Sequence, residues 1–167
     1  MAPKIAIVYY SMYGHIKQLA EAEKRGIEKA GGTADLYQIP ETLSDEVLGK
    51  MHAAPKATDV PVLNDPNTLA GYDAFLLGIP TRYGNFLPSG RPSGIRQAAF
   101  GPRVASMESW LAFLSPLALW EVVRGGSPWG AGTFAAADGS RQPSSKELEV
   151  AEIQGQEFFQ TTAKHFG

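Results

Sequence analysis

Apolar residues recur in three patterns along the 167-residue chain. Ile5-Ala6-Ile7-Val8-Tyr9-Tyr10 and Ala74-Phe75-Leu76-Leu77-Gly78-Ile79 are continuous runs, the second stopped by Pro80. Runs without alternation are typical of strands covered on both faces, as in a parallel sheet. Asp35-Leu36-Tyr37-Gln38-Ile39 alternates and reads as a shorter strand ended by Pro40. Between these runs the spacing turns helical. A first helix opens near Ile16 and runs from Lys17 to Ala30, with Leu19, Ala20, Ile27 and Ala30 on one face and Gly31-Gly32 at its end. A second spans Glu41 to His52, with Leu43, Val47, Leu48 and Met51 turned inward. Residues 53–67, rich in proline and small side chains, read as a surface loop. A last helix runs from Ser145 towards Lys164 and offers Leu148, Ala151, Phe158 and Phe159 for packing; Ser144 and Glu147 form a capping box just after Pro143. Strand and helix alternate, which predicts an α/β fold on a doubly wound parallel sheet.

Length and composition narrow the class. The chain is the size of one domain with a substantial core. Hydrophobic residues make up 44% and charged residues 19%, as in globular proteins. A formal net charge of −2 argues against nucleic-acid or anionic-membrane partners. Without cysteine, disulfides, thiolate catalysis and Cys-ligated metal are excluded. His15, His52 and His165 lie far apart and show no metal-ligand spacing. No leader peptide or membrane-spanning stretch is visible, so the expectation is a soluble, cytoplasmic protein.

Candidate chemistry gathers behind the two apolar runs. Ser11-Met12-Tyr13-Gly14-His15-Ile16 links the first strand to the first helix. A turn there aims hydroxyls and unpaired backbone N–H groups at one point, where the positive end of the helix dipole also falls. It lacks the Gly-Lys-Ser/Thr ending of a nucleoside-triphosphate loop and the three spaced glycines of a dinucleotide fingerprint. A monophosphate cradle remains, which suits FMN; Tyr13 and His15 are equally readable as plain surface residues. Pro80-Thr81-Arg82-Tyr83-Gly84-Asn85 follows the second run. Thr81 offers a hydroxyl and Gly84 permits close approach to a flat ring, or the stretch is a plain turn with Arg82 solvated. In an open parallel sheet both turns reach the same crevice.

Taken together, the two turns closely resemble those of the flavodoxin-like NAD(P)H:quinone oxidoreductases of the tryptophan-repressor-binding-protein (WrbA), or type IV, family. The resemblance extends through Pro40-Glu41-Thr42 and resumes at Arg124-Gly125-Gly126-Ser127-Pro128-Trp129-Gly130-Ala131-Gly132 and Ala137-Asp138-Gly139-Ser140-Arg141-Gln142-Pro143-Ser144. It implies one flavodoxin-like domain over residues 1–167. It also implies FMN, with Ser11 to Ile16 on the phosphate and Thr81 to Tyr83 on the isoalloxazine, and Tyr13 near the nicotinamide cofactor. The implied activity is ping-pong: NAD(P)H reduces the flavin by hydride transfer, and a quinone takes the two electrons. No catalytic side chain and no metal is demanded. The family is typically a homotetramer, and Asp138 and Arg141 could anchor contacts between subunits or form a loop salt bridge.

Residues 87–123 depart from that pattern. Prolines at 88, 92, 102 and 116 break any long helix; Ser106–Leu114 and Leu117–Val123 read either as short apolar helices or as an exposed hydrophobic liability, and Trp110 and Trp120 as makeshift core. The family has here an amphipathic helix, a strand, a Ser-Thr-Gly-Thr-Gly flavin loop, and a further helix and strand. Back-translated from Phe86 with permissive third bases and read two bases later, the segment permits Trp-Lys-Thr-Phe-Trp-Asp-Thr-Thr-Gly. Further on, the same frame permits Val-Phe-Val-Ser-Thr-Gly-Thr-Val-Gly-Gly-Gly. Both are similar to the family's helix and flavin loop. A further segment is skipped before Arg124. The expectation is therefore a frame-shifted and internally deleted family member. Two function classes stay open: an FMN-dependent quinone reductase, or a catalytically impaired flavodoxin-like remnant or binding module that holds FMN weakly or not at all.

Overall fold

A computed structural model of the protein describes residues 2–82, 85–86, 113–114, 130–135 and 139–166. Its centre is a parallel sheet built on β1 (Lys4–Tyr9), flanked by β2 (Thr33–Gln38) and β3 (Ala74–Gly78). The order is β2-β1-β3-β6, where β6 is Phe113–Leu114. Both continuous runs are therefore inner strands, and their lack of alternation follows from cover on both faces. Ile5, Ile7 and Tyr9 point into one apolar cluster; Ala6 and Val8 point into the other.

The first face is roofed by α1 (His15–Lys29) and α3 (Ser145–Phe166). Ile16, Leu19, Ala20 and Ile27 of α1 meet Ala151 and Phe158 of α3 over the sheet. The two helices approach backbone to backbone. A Cβ on Gly26 would collide with the Glu152 carbonyl oxygen, and one on Gly155 would collide with the Glu23 carbonyl oxygen. Glu23 is caught at this crossing with no exposed surface, and neither carboxyl oxygen has a hydrogen-bond partner. Nearer the solvent, Glu152 of α3 is ion-paired with Lys29 of α1. The capping box forms as the sequence predicts: the Ser144 N–H donates to Glu147 (2.7 Å), and the Glu147 N–H donates to the Ser144 hydroxyl (3.3 Å).

The second face is covered by the segment between β2 and β3, and here two expectations change. The helix expected over Glu41–His52 shrinks to α2 (Asp45–Lys50), which buries none of its own residues. The Glu41 carboxylate takes the Thr42 and Leu43 N–H groups (2.9 and 3.1 Å), holding them in a turn ahead of the helix. Leu43 and Met51 still pack partly against the core, but Val47 is exposed. Leu63 and Leu69 fill the space instead, Leu69 carried by a 3₁₀ turn (Pro66–Gly71). The Asp65 side chain caps that turn by accepting from the Asn67 N–H (2.9 Å).

The third change concerns residues 113–114, expected to be helical. They add to the free edge of β3 as a parallel strand, with Leu77 opposite Phe113 and Gly78 opposite Leu114. That edge offers unpaired main-chain donors and acceptors, which a short extended apolar segment satisfies. Trp110, Trp120, Asp138 and residues 124–129 lie outside the described residues.

Candidate functional site

β1 and β3 are hydrogen-bonded neighbours, Tyr9 standing opposite Gly78 and the Tyr10 N–H donating to the Gly78 carbonyl (2.9 Å). Their following turns leave the sheet side by side at its carboxyl edge. In an open parallel sheet this is where the winding reverses and a crevice opens. The sequence expectation that both turns share one edge is met.

The first turn combines three properties. Gly14, at the mouth of α1, has φ 86°, a left-handed conformation that glycine adopts without penalty. Among the described residues, nothing lies within 4 Å of where a Cβ there would stand, so they leave the space over the turn open. Among the described residues, the N–H groups of Ser11, Met12, Tyr13 and Gly14 donate to no acceptor. α1 has no acidic residue in its first turn to compete for these donors. Open space, free donors and an uncompensated helix dipole together fit an anion the size of a phosphate.

The six residues of this turn divide in function. Met12 is buried in the second cluster, and its carbonyl accepts from the Ala54 N–H (2.9 Å). Ile16 is core. Tyr13 is 40% exposed, its hydroxyl donating to the Met51 carbonyl (3.0 Å). His15, which the sequence leaves readable as a surface residue, is instead 4% exposed, with Nε2 2.8 Å from the Arg141 carbonyl. Thus Met12, His15 and Ile16 could offer a ligand only their main chain, while Ser11 and Tyr13 keep side chains nearer the surface of the turn.

The second turn starts at Pro80 and continues as a hairpin of β4 (Thr81–Arg82) and β5 (Asn85–Phe86), Thr81 opposite Phe86 and Arg82 opposite Asn85. Tyr83 and Gly84 lie outside the described residues.

Two polar groupings border the first turn, and neither is evident from sequence spacing. The Tyr10 hydroxyl donates to Glu41 Oε2 (3.0 Å), Lys56 Nζ pairs with the same oxygen (2.9 Å), and that ammonium lies 4.2 Å from the Tyr10 ring centroid. Burial raises the Glu41 pKa, but Lys56, the Leu43 N–H and Tyr10 outweigh it and hold the carboxyl below its ordinary value. The other grouping centres on Arg141. Its Nη2 lies 3.0 Å from both Glu147 oxygens, and its Nη1 donates to the Phe134 carbonyl (2.7 Å) and to Thr133 Oγ1 (3.1 Å). Burial pushes the Glu147 carboxyl up, yet the Ser144 N–H and the Arg141 guanidinium prevail and keep it lowered. The sequence names Asp138 beside Arg141 for a loop salt bridge; Asp138 lies outside the described residues, and the partner found is Glu147 in the first turn of α3. A hollow beside β2, lined among others by Glu21, Lys24, Asp35, Tyr37 and Asp59, shares no residue with either turn.

A parallel sheet ordered 2-1-3, roofed on one face by α1 and α3, has a flavodoxin-like fold. The WrbA-like flavodoxin from Agrobacterium tumefaciens shares this fold at a TM-score of 0.57 and 19% identity, over 98% of this chain and 99% of that one. No protein-family model matches the chain. Full-length relatives do. The minor allergen Alt a 7 of Alternaria alternata is 46% identical over 98% of both chains. The NAD(P)H quinone oxidoreductase PST3 of Candida albicans is 43% identical over 98% of this chain and all of its own length. The chain belongs to the family of these NAD(P)H quinone oxidoreductases. Both alignments run to 201 positions against the 167 residues here, so each relative carries positions with no counterpart in this chain.

Proposed function

We propose that this chain binds FMN and catalyses the two-electron reduction of quinones by NAD(P)H. The observation that carries the reading is the set of free N–H groups from Ser11 to Gly14, open at the mouth of α1 and beside the turn that begins at Pro80. FMN supplies the redox chemistry when bound; the protein supplies position and electrostatics. The first turn takes the phosphate through its main chain. The Ser11 hydroxyl is the side chain of that turn best placed to add a donor, and the stretch Pro80 to Asn85 borders the ring. Tyr13, exposed beside the cradle, faces the nicotinamide or the quinone. No side chain need act as nucleophile, and no metal is needed. The compartment in this reading is the cytoplasm; among the described residues no helix is long and apolar enough to cross a membrane.

A second reading has a specific observation behind it. The relatives' extra positions, together with the unfamiliar text of residues 87–123, favour a single flavodoxin-like domain that has lost its third flavin loop. Such a remnant would hold FMN weakly and reduce quinones poorly. One preparation separates the two. The full-length protein is purified, titrated with FMN, and assayed for NAD(P)H-dependent quinone reduction. A yellow, active protein supports the reductase; a yellow, inactive one supports the remnant. A colourless protein that takes up no FMN even at millimolar concentration also supports the remnant and rules out the reductase. Sequencing the transcript across codons 86 to 124 tests the frame shift separately: a single open frame with no shifted match in genomic DNA would refute it.

A further inference from the structure

We propose that Arg141 is a positioning residue for the phosphate turn, acting through His15. The inference rests on the phosphate reading above. His15 Nε2 lies 2.8 Å from the Arg141 carbonyl, across a sequence separation of 126 residues. A carbonyl only accepts, so Nε2 carries the hydrogen, and the ring is committed inward rather than towards a ligand. One turn further along α1, Gln18 Nε2 donates to Gln142 Oε1 (2.8 Å), a second tie to the same loop.

That loop is itself fixed. The Arg141 guanidinium grips both Glu147 oxygens, Thr133 Oγ1 and the Phe134 carbonyl, while Glu147 also accepts from the Ser144 N–H. A guanidinium paired with a carboxylate through Nη2 and holding two further acceptors through Nη1 has little freedom left. The line of contacts therefore runs from the first turn of α3 through Glu147 and the Arg141 guanidinium to the Arg141 carbonyl, and from there through His15 to Gly14 at the mouth of α1. A phosphate cradle binds well only if its N–H groups already converge before the ligand arrives. Nothing on α1 itself does this, since Gly14 has no side-chain cap. The contact from Arg141 supplies the missing restraint.

The test compares FMN with riboflavin, which lacks the phosphate, by titrating each into the full-length apoprotein. Wild type is compared with Arg141→Met, His15→Leu and His15→Gln. Wild type is expected to prefer FMN. His15→Leu and Arg141→Met should lose about tenfold or more of that preference with riboflavin affinity unchanged, the scale of one lost hydrogen bond to a committed group. His15→Gln, which retains a donor, should keep most of it. Amide hydrogen exchange without flavin gives a second readout: protection should fall over residues 11–16 in His15→Leu while β1 keeps its own. If Arg141→Met fails to fold, His15→Leu alone decides. A wild-type preference that survives in His15→Leu overturns the positioning role and leaves the phosphate reading standing. Wild type that cannot tell FMN from riboflavin overturns both.

Discussion

Glu23 shows how much one side chain can cost a fold. It is fully buried between α1 and α3 with no partner, and burial raises its pKa well above the ordinary carboxyl value. The folded chain thus keeps the proton to a higher pH than the unfolded chain, whose Glu titrates near 4.3. Its cost to the fold is smallest below that value and grows as pH climbs towards the raised one. Thermal unfolding across pH 5 to 8 should therefore show wild type losing stability with rising pH, and Glu23→Gln losing less of it. Replacing the group with the apolar, similarly sized Glu23→Met should stabilise by about 1–3 kcal/mol at pH 7, measured by urea denaturation. Equal pH slopes for wild type and Glu23→Gln would remove Glu23 as the cause. None of this is visible in the sequence, where Glu23 is one of several charges in Glu21-Ala22-Glu23-Lys24-Arg25. Helical spacing places it near the inner face, but only the presence of α3 makes it buried.

At the scale of elements, the pairing of α1 with α3 depends on two glycines. Gly26 and Gly155 each face a carbonyl of the other helix. Gly155→Ala should force the helices apart and destabilise by about 1–3 kcal/mol, and adding Gly26→Ala should cost less than the sum, since both changes act on one crossing. Chemical denaturation of the two single variants and the double variant measures this; strict additivity would mean that the sites are independent. The strong periodicities read correctly: β1, β3, α1, α3 and the capping box were all legible, because apolar run length, helical spacing and Ser-x-x-Glu are local features. Weak elements did not. α2 was overextended because Leu43 and Met51 have helical spacing with Val47, yet Glu41 diverts the chain ahead of Asp45. The strand at Phe113–Leu114 is set by the open edge of β3, a long-range condition that no local pattern encodes. Within the site, the strand, turn and helix start around Ser11 to Ile16 are legible from the sequence. The inward commitment of His15 is not, since its partner lies in another part of the sequence.

For the whole molecule, what matters is where the chain reverses its winding. β1 lies between β2 and β3, so the turns after β1 and after β3 belong to lobes that are wound in opposite directions around the same central strand. A ligand gripped by both would act as a clasp across that seam. Its binding energy would then enter the folding equilibrium, raising apparent stability by about 2.7 kcal/mol at a hundredfold excess over Kd. Unfolding midpoints should climb with added FMN, and inorganic phosphate, which reaches only the first turn, should need a far higher concentration to produce the same rise; equal concentrations for equal shifts would mean that the second turn adds nothing to the grip.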